Sequence, residues 1–128
     1  MILLQSGSLK RKIMALEFEN EIEIIEVMEG YLNNSRPPEE VRNEVDLNYK
    51  IESQSIIVFE IRPVWDNPSK KREYNVAKAT FIKTENKWKT YCFKSDMKWH
   101  IYKPAEKVNN LKEFVKIIQE DKHSCFRG

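Results

Sequence analysis

Three glycines in 128 residues are too few and too scattered to build the glycine-rich loop that cradles a nucleotide phosphate. The same scarcity leaves no serine inside a glycine-rich elbow, so a hydrolase-type nucleophile has no local scaffold. The two cysteines, Cys92 and Cys125, do not make a disulfide framework, and neither is directly flanked by a histidine. No apolar run approaches the roughly 18 residues of a membrane helix, so no membrane span is expected. At the N-terminus the short apolar run Ile2 to Leu4 precedes the basic cluster Lys10 to Lys12, the wrong length and order for a secretory signal. These absences lead to the expectation of a cytoplasmic protein with no cofactor. Residues 1–13 read as a flexible tail and residues 14–128 as a single domain, with Met14 an alternative start.

Charge is present in quantity and unevenly spread. The net value of +2 hides residues 17–60, with 12 acidic and 3 basic side chains, and residues 61–128, with 8 acidic and 16 basic. Two acidic and basic halves either complement each other within the fold or leave the basic half free for an anionic partner.

Apolar spacing supplies the elements. Between Leu16 and Asn33, Phe18, Ile22, Ile25, Met28 and Leu32 recur at helical intervals, with glutamates around the rest. Pro37 and Pro38 end that helix. From Val45 to Glu52 apolar and polar residues alternate strictly, the pattern of a strand with one buried face. The run "IIVFEIR" is apolar on both faces and reads as a central strand stopped by Pro63. Residues 63–73 read as a polar loop turning at Asp66-Asn67-Pro68 and carrying Lys70, Lys71 and Arg72. Three more strands are expected at 74–83, 88–94 and 98–102. Asn110 with Glu113 then forms a capping box, ahead of a helix with the stripe Leu111, Phe114, Val115 and Ile118. The fold expected is α+β: an N-terminal helix, a five-stranded antiparallel meander and a C-terminal helix, with one layer of helices packed on the sheet.

Register assigns the faces. A two-residue turn between Thr84 and Lys87 puts Ala77, Ala79, Phe81, Trp88, Thr90 and Cys92 on one side, and a turn at Ser95-Asp96 adds Trp99 and Ile101. The opposite side then collects Lys78, Thr80, Lys89, Tyr91, Phe93, Lys98, His100 and Tyr102, beside Val76 and Ile82. Rings interleaved with cations on an antiparallel sheet form a stacking platform with phosphate contacts, as used by sheet-based binders of single strands.

Two metal chemistries are weaker on spacing. Cys92, His100, His123 and Cys125 supply four zinc-ligand types, but no C-x2-C or H-x3-H pair occurs, and this register sets Cys92 and His100 on opposite faces. Asp46, Glu60 and Arg62 give a thin echo of a metal-dependent nuclease, although an E-x-R pair on a strand is commonly an ion pair.

The runs "FEIRPVWDNPSKK", "VAKATF", "KWKTY", "DMKWHIYKP" and "HSCFRG", in this order, resemble a family of small bacterial proteins called domain of unknown function 3024. The likeness covers about residues 16 to 128. It implies a compact bacterial cytoplasmic domain with no established activity, substrate or cofactor, and it carries no functional residue across.

The expected function is therefore a small non-catalytic binding module. Lys78, Lys89, Tyr91, His100 and Tyr102 form its basic-aromatic sheet face, joined by Lys70, Lys71 and Arg72, and its partner is nucleic acid or another polyanion. Two alternatives stand beside it: a metal-dependent nuclease-like hydrolase centred on Asp46 and Glu60, and a homodimer or larger oligomer that buries the aromatic face.

Overall fold

The first helix, α1, spans Phe18–Ser35, and its apolar residues offer two overlapping stripes. The one that packs runs through Ile24, Met28 and Tyr31, with Val27 and Leu32 at its margins. Ile22 and Ile25 lie 44% and 59% exposed, so the stripe expected through them is rotated by about one position. Glu23 helps fix that rotation, since its carboxylate accepts a hydrogen bond from the Leu111 backbone N–H at 2.8 Å, at the start of the second helix. The computed structural model describes residues 18–126; the expected N-terminal tail and the side chain of Phe18 lie outside what is described.

Six antiparallel strands follow: β1 Asp46–Glu52, β2 Ser55–Val64, β3 Asn67–Ile82, β4 Lys87–Phe93, β5 Trp99–Ile101 and β6 Lys107–Val108. Strands β1 to β5 lie in chain order as a meander, and β6 pairs with β4 on the same edge as β5. The helix α2, Leu111–Glu120, closes the order. Its stripe Leu111, Phe114, Val115 and Ile118 is buried as the spacing predicts. Asn110 caps it, accepting from the Glu113 N–H at 3.0 Å, while the Glu113 carboxylate reaches back to the Asn109 N–H at 2.8 Å. The architecture is α+β, and among the described residues no helix is long and apolar enough to cross a membrane.

The core lies between the two helices and one face of the sheet. Leu47, Ile56, Val58, Ala77, Ala79, Phe81, Trp88 and Cys92 point toward Ile24, Met28, Phe114 and Ile118 in one cluster. Thr90 is fully buried among them, with every polar group of the residue engaged. Its hydroxyl donates to the Ala105 carbonyl, its N–H to Glu106, and its carbonyl accepts from Tyr102. That residue thus fastens both halves of a broken edge, β5 and β6, to β4 on either side of the short turn Lys103–Ala105.

Several expectations about the sheet need correction. Residues 63–73 are not a loop, because β2 and β3 extend as a two-stranded ribbon in which Arg62 pairs with Arg72 and Val64 with Asn67. Pro63 is tolerated there because the ribbon runs past the end of β1, leaving it on an edge. A bulge between Val58 and Phe59 leaves Val76 between the pairs Val58–Ala77 and Phe59–Asn75, and it enters the core instead of the second face. The sixth strand was not expected. The last correction concerns β5: Phe93 pairs with Trp99, Cys92 with His100 and Tyr91 with Ile101. The hairpin loop is Ser95-Asp96-Met97, with Met97 in the left-handed region at φ 65°, one residue longer than a Ser95-Asp96 turn. One extra residue inverts the faces of everything beyond it. Trp99 and Ile101 therefore share the side of Tyr91, and His100 and Tyr102 that of Cys92. The Lys83–Asn86 loop is longer than expected by two residues, which preserves the faces.

Candidate functional site

The second face of the sheet carries no described helix. Strict alternation brings to it Lys50 from β1, Ile57 and Phe59 from β2, Lys78 and Thr80 from β3, Lys89, Tyr91 and Phe93 from β4, and Trp99 from β5. The Lys78 ammonium lies 4.7 Å from the Tyr91 ring centroid and 4.9 Å from that of Trp99. Lys89 lies 5.9 Å from the Tyr91 centroid, and Lys50 lies 5.2 Å from that of Phe59. The rings of Phe93 and Trp99 meet edge to face at 5.0 Å. These are cation–π distances.

The three lysines differ in what else holds them. Lys50 bridges Glu73 at 2.9 Å and Glu52 at 3.6 Å, so much of its charge is answered within the fold. Lys78 and Lys89 have rings as their partners. Partial burial draws the Lys78 pKa below the ordinary lysine value, while the charge of Glu52 pulls it the other way. An anion arriving beside Lys78 finds a cation already stripped of part of its water.

Not every residue expected at this face is there. Tyr102 is 4% exposed and packs on Phe126 with ring centroids 4.9 Å apart, and burial raises its phenol pKa. His100 stands at the outer edge on the helix side, its Nε2 2.7 Å from the Asp96 carboxylate, a hydrogen bond that holds the Asp96 pKa down. Lys70, Lys71 and Arg72 are exposed on the β2–β3 ribbon, where the register sets Lys71 toward the open side and Arg72 toward the helix side. Lys78, Lys89 and Tyr91 are brought together. Trp99 is the site residue that sequence reasoning missed, and a positive φ at Met97 left no signal in the residue type.

The carboxylates of the hydrolase alternative are not brought together. Leu47 pairs with Glu60 and Asp46 with Ile61, so Asp46 and Glu60 project from alternate sides of the ladder. Arg36 grips Asp46 through two hydrogen bonds of 2.7 and 2.8 Å, which hold its carboxyl below the usual range, and Arg62 binds Glu60 at 2.9 Å. Among the described residues no group of three His, Cys, Asp or Glu side chains is placed to hold a metal ion. Cys92 and His100 share a face, contrary to the expected register, but the imidazole is turned to Asp96. Clefts beside the helices, one lined by Glu26, Tyr31 and Lys112 and another by Tyr31, Glu60 and Arg62, open on the side opposite the lysine and ring array.

Residues 16–128 match the model of a family described as Domain of unknown function (DUF3024). No curated protein and no solved structure matches the chain.

Proposed function

We propose that this chain, which belongs to the DUF3024 family, is a binding module that takes single-stranded nucleic acid on the open face of its sheet. The observation that carries the reading is the pair of lysines over Tyr91 and Trp99 on a face that no described helix covers. Phosphates draw the Lys78 and Lys89 ammonium groups outward, and the rings they leave are free to stack on bases. Magnitudes favour the exchange: an exposed cation–π contact contributes about 0.5–1 kcal/mol, and a base stacked on an aromatic side chain about 1–3 kcal/mol. Lys71 on the ribbon and Lys87 at the start of β4 extend the positive track. Stacking accepts any base, so the binding is expected to be tolerant of sequence.

The test is fluorescence anisotropy of labelled single- and double-stranded oligonucleotides at two salt concentrations, with light scattering for mass on the same sample. Salt-sensitive binding by a monomer, stronger for the single strand, supports the reading. An absence of binding at low salt together with a dimer mass transfers the face to the second reading, a homodimer interface. That reading draws on the apolar residues Ile82, Phe93 and Ile101, which the same face leaves half-exposed.

A further inference from the structure

Beyond Ile61 the β2–β3 hairpin leaves the rest of the sheet. Strand β1 ends at Asp46, opposite Ile61, and β4 joins β3 only from Ala77, so residues 62–72 form a ribbon with no third strand on either edge. Residues 65–74 are all exposed. Trp65, in the turn between the paired Val64 and Asn67, is 91% exposed, and at that exposure its ring adds almost nothing to folding. Residues 62–72 carry Arg62, Lys70, Lys71 and Arg72 against the single acid Asp66. Glu60 answers Arg62 at 2.9 Å. Lys70, Lys71 and Arg72 have no ion-pair partner among the described residues. Arg62 and Arg72 stand directly opposite each other across the ribbon, a like-charge pair that costs stability in the free protein and that an anion beside it would relieve.

The pairing sets cations on both faces of this ribbon: Lys71, opposite Pro63, on the open side, and Arg62 with Arg72 on the helix side. A strand lying flat on the open face reaches the first and not the other two. Anions are needed on both flanks at once, and the two walls of a duplex groove supply them as rows of phosphates. The major groove of B-form DNA is about 12 Å wide and about 8.5 Å deep and admits a two-stranded β-ribbon. The extended chain from Arg62 to Asp66, at about 3.3 Å per residue, reaches roughly 13 Å, enough to pass that depth. We propose that the ribbon of residues 62–72 enters the major groove of duplex DNA. Its cations meet the phosphates on either wall, and the Trp65 ring lies against the base edges, where thymine methyl groups offer apolar contact. This rests on the reading of the open face only for the class of partner, since a duplex on the ribbon and a single strand on Tyr91 and Trp99 use different rings.

Full-length protein is titrated by anisotropy against a labelled blunt DNA duplex, an RNA duplex of the same sequence and an oligothymidylate, each at several salt concentrations. Trp65→Ala is expected to weaken binding to the DNA duplex severalfold and to leave oligothymidylate affinity as it was. In Arg62→Gln with Arg72→Gln the slope of log duplex affinity against log salt is expected to shrink by about two. Both changes lie at exposed positions, and urea unfolding of the variants confirms that the fold is kept. Ribbon-dependent duplex binding with no oligothymidylate binding would uphold the ribbon and sink the reading of the open face. No DNA duplex binding at low salt, or duplex binding indifferent to Trp65 and to the two arginines, would overturn the proposal whatever the single strand does. An equal dependence on Trp65 for the RNA duplex, whose major groove is too deep and narrow for side chains to read, would overturn it too. So would Trp65-dependent binding to anionic phospholipid vesicles in place of the DNA duplex.

Discussion

Trp88 and Tyr91 stand three residues apart on β4 and answer to different surroundings. Trp88 is 1% exposed, tilted against Phe81 at 5.0 Å and set in the core beneath the helices. Tyr91 faces the other way, and lysines are what cover its ring. On the covered face small and large apolar residues interlock, Ala77 and Ala79 beside Phe81 and Trp88, and the polar exception, Thr90, has its hydrogen bonds satisfied. On the open face Ile57 and Phe59 are buried at 5% exposure, while Tyr91 and Trp99 stay partly exposed beside the Lys78 ammonium. The first arrangement stabilises the fold, whereas the second leaves rings and charges in a form that a ligand can rearrange.

That contrast breaks most visibly at its covered side. Trp88→Ala leaves a large cavity and is expected to cost about 3–5 kcal/mol in urea unfolding. Tyr91→Ala on the open face is expected to cost well under half of that, and its main effect is on binding. Together with Trp99→Ala it removes two stacking surfaces, and with about 1–3 kcal/mol lost per base the anisotropy titration is expected to weaken by at least tenfold. A Tyr91→Ala, Trp99→Ala double variant that unfolds as Trp88→Ala does would erase the distinction between the faces.

Lys78 sharpens the comparison through pH. Its pKa is drawn down by burial, so its charge, and the phosphate contact that depends on it, are lost at a lower pH than for an ordinary lysine. Oligonucleotide affinity is expected to fall as pH rises through that window. In Lys78→Gln the extra fall disappears and the slope of log affinity against log salt shrinks by about one.

The smallest effect belongs to Asp46, at the sheet margin. Its folded pKa is depressed by Arg36, so its contribution to stability is present above the unfolded value of about 4 and is lost as pH falls through the lower folded value. Asp46→Asn is expected to lower the urea midpoint slightly at neutral pH, and that difference to vanish in acid.

How far the sequence could be read depended on whether the deciding contact was local. The α2 stripe and its Asn110–Glu113 cap are written within one turn of chain, and both are found as read. Strand β1 alternates without ambiguity, and Leu47 is buried accordingly. In α1 the apolar residues Ile22, Ile24 and Ile25 allow two stripes. The choice between them rests on partners far along the chain, among them the Leu111 N–H held by Glu23. The faces of β3 and β4 survived an error of two residues in their loop, while β5 did not survive an error of one, because side chains alternate with a period of two. Nothing about Met97 as a residue type announces a positive φ.

The proposed single strand meets the open face and not the helix side. NMR titration of the labelled protein with a short oligothymidylate tests it at residue level. Saturable shifts are expected in the Lys78, Lys89, Tyr91 and Trp99 side chains, with Thr90, Cys92 and the helix residues Phe114 and Ile118 unmoved. Shifts confined to α1, α2 or the clefts beside them, with Tyr91 and Trp99 silent, would contradict it.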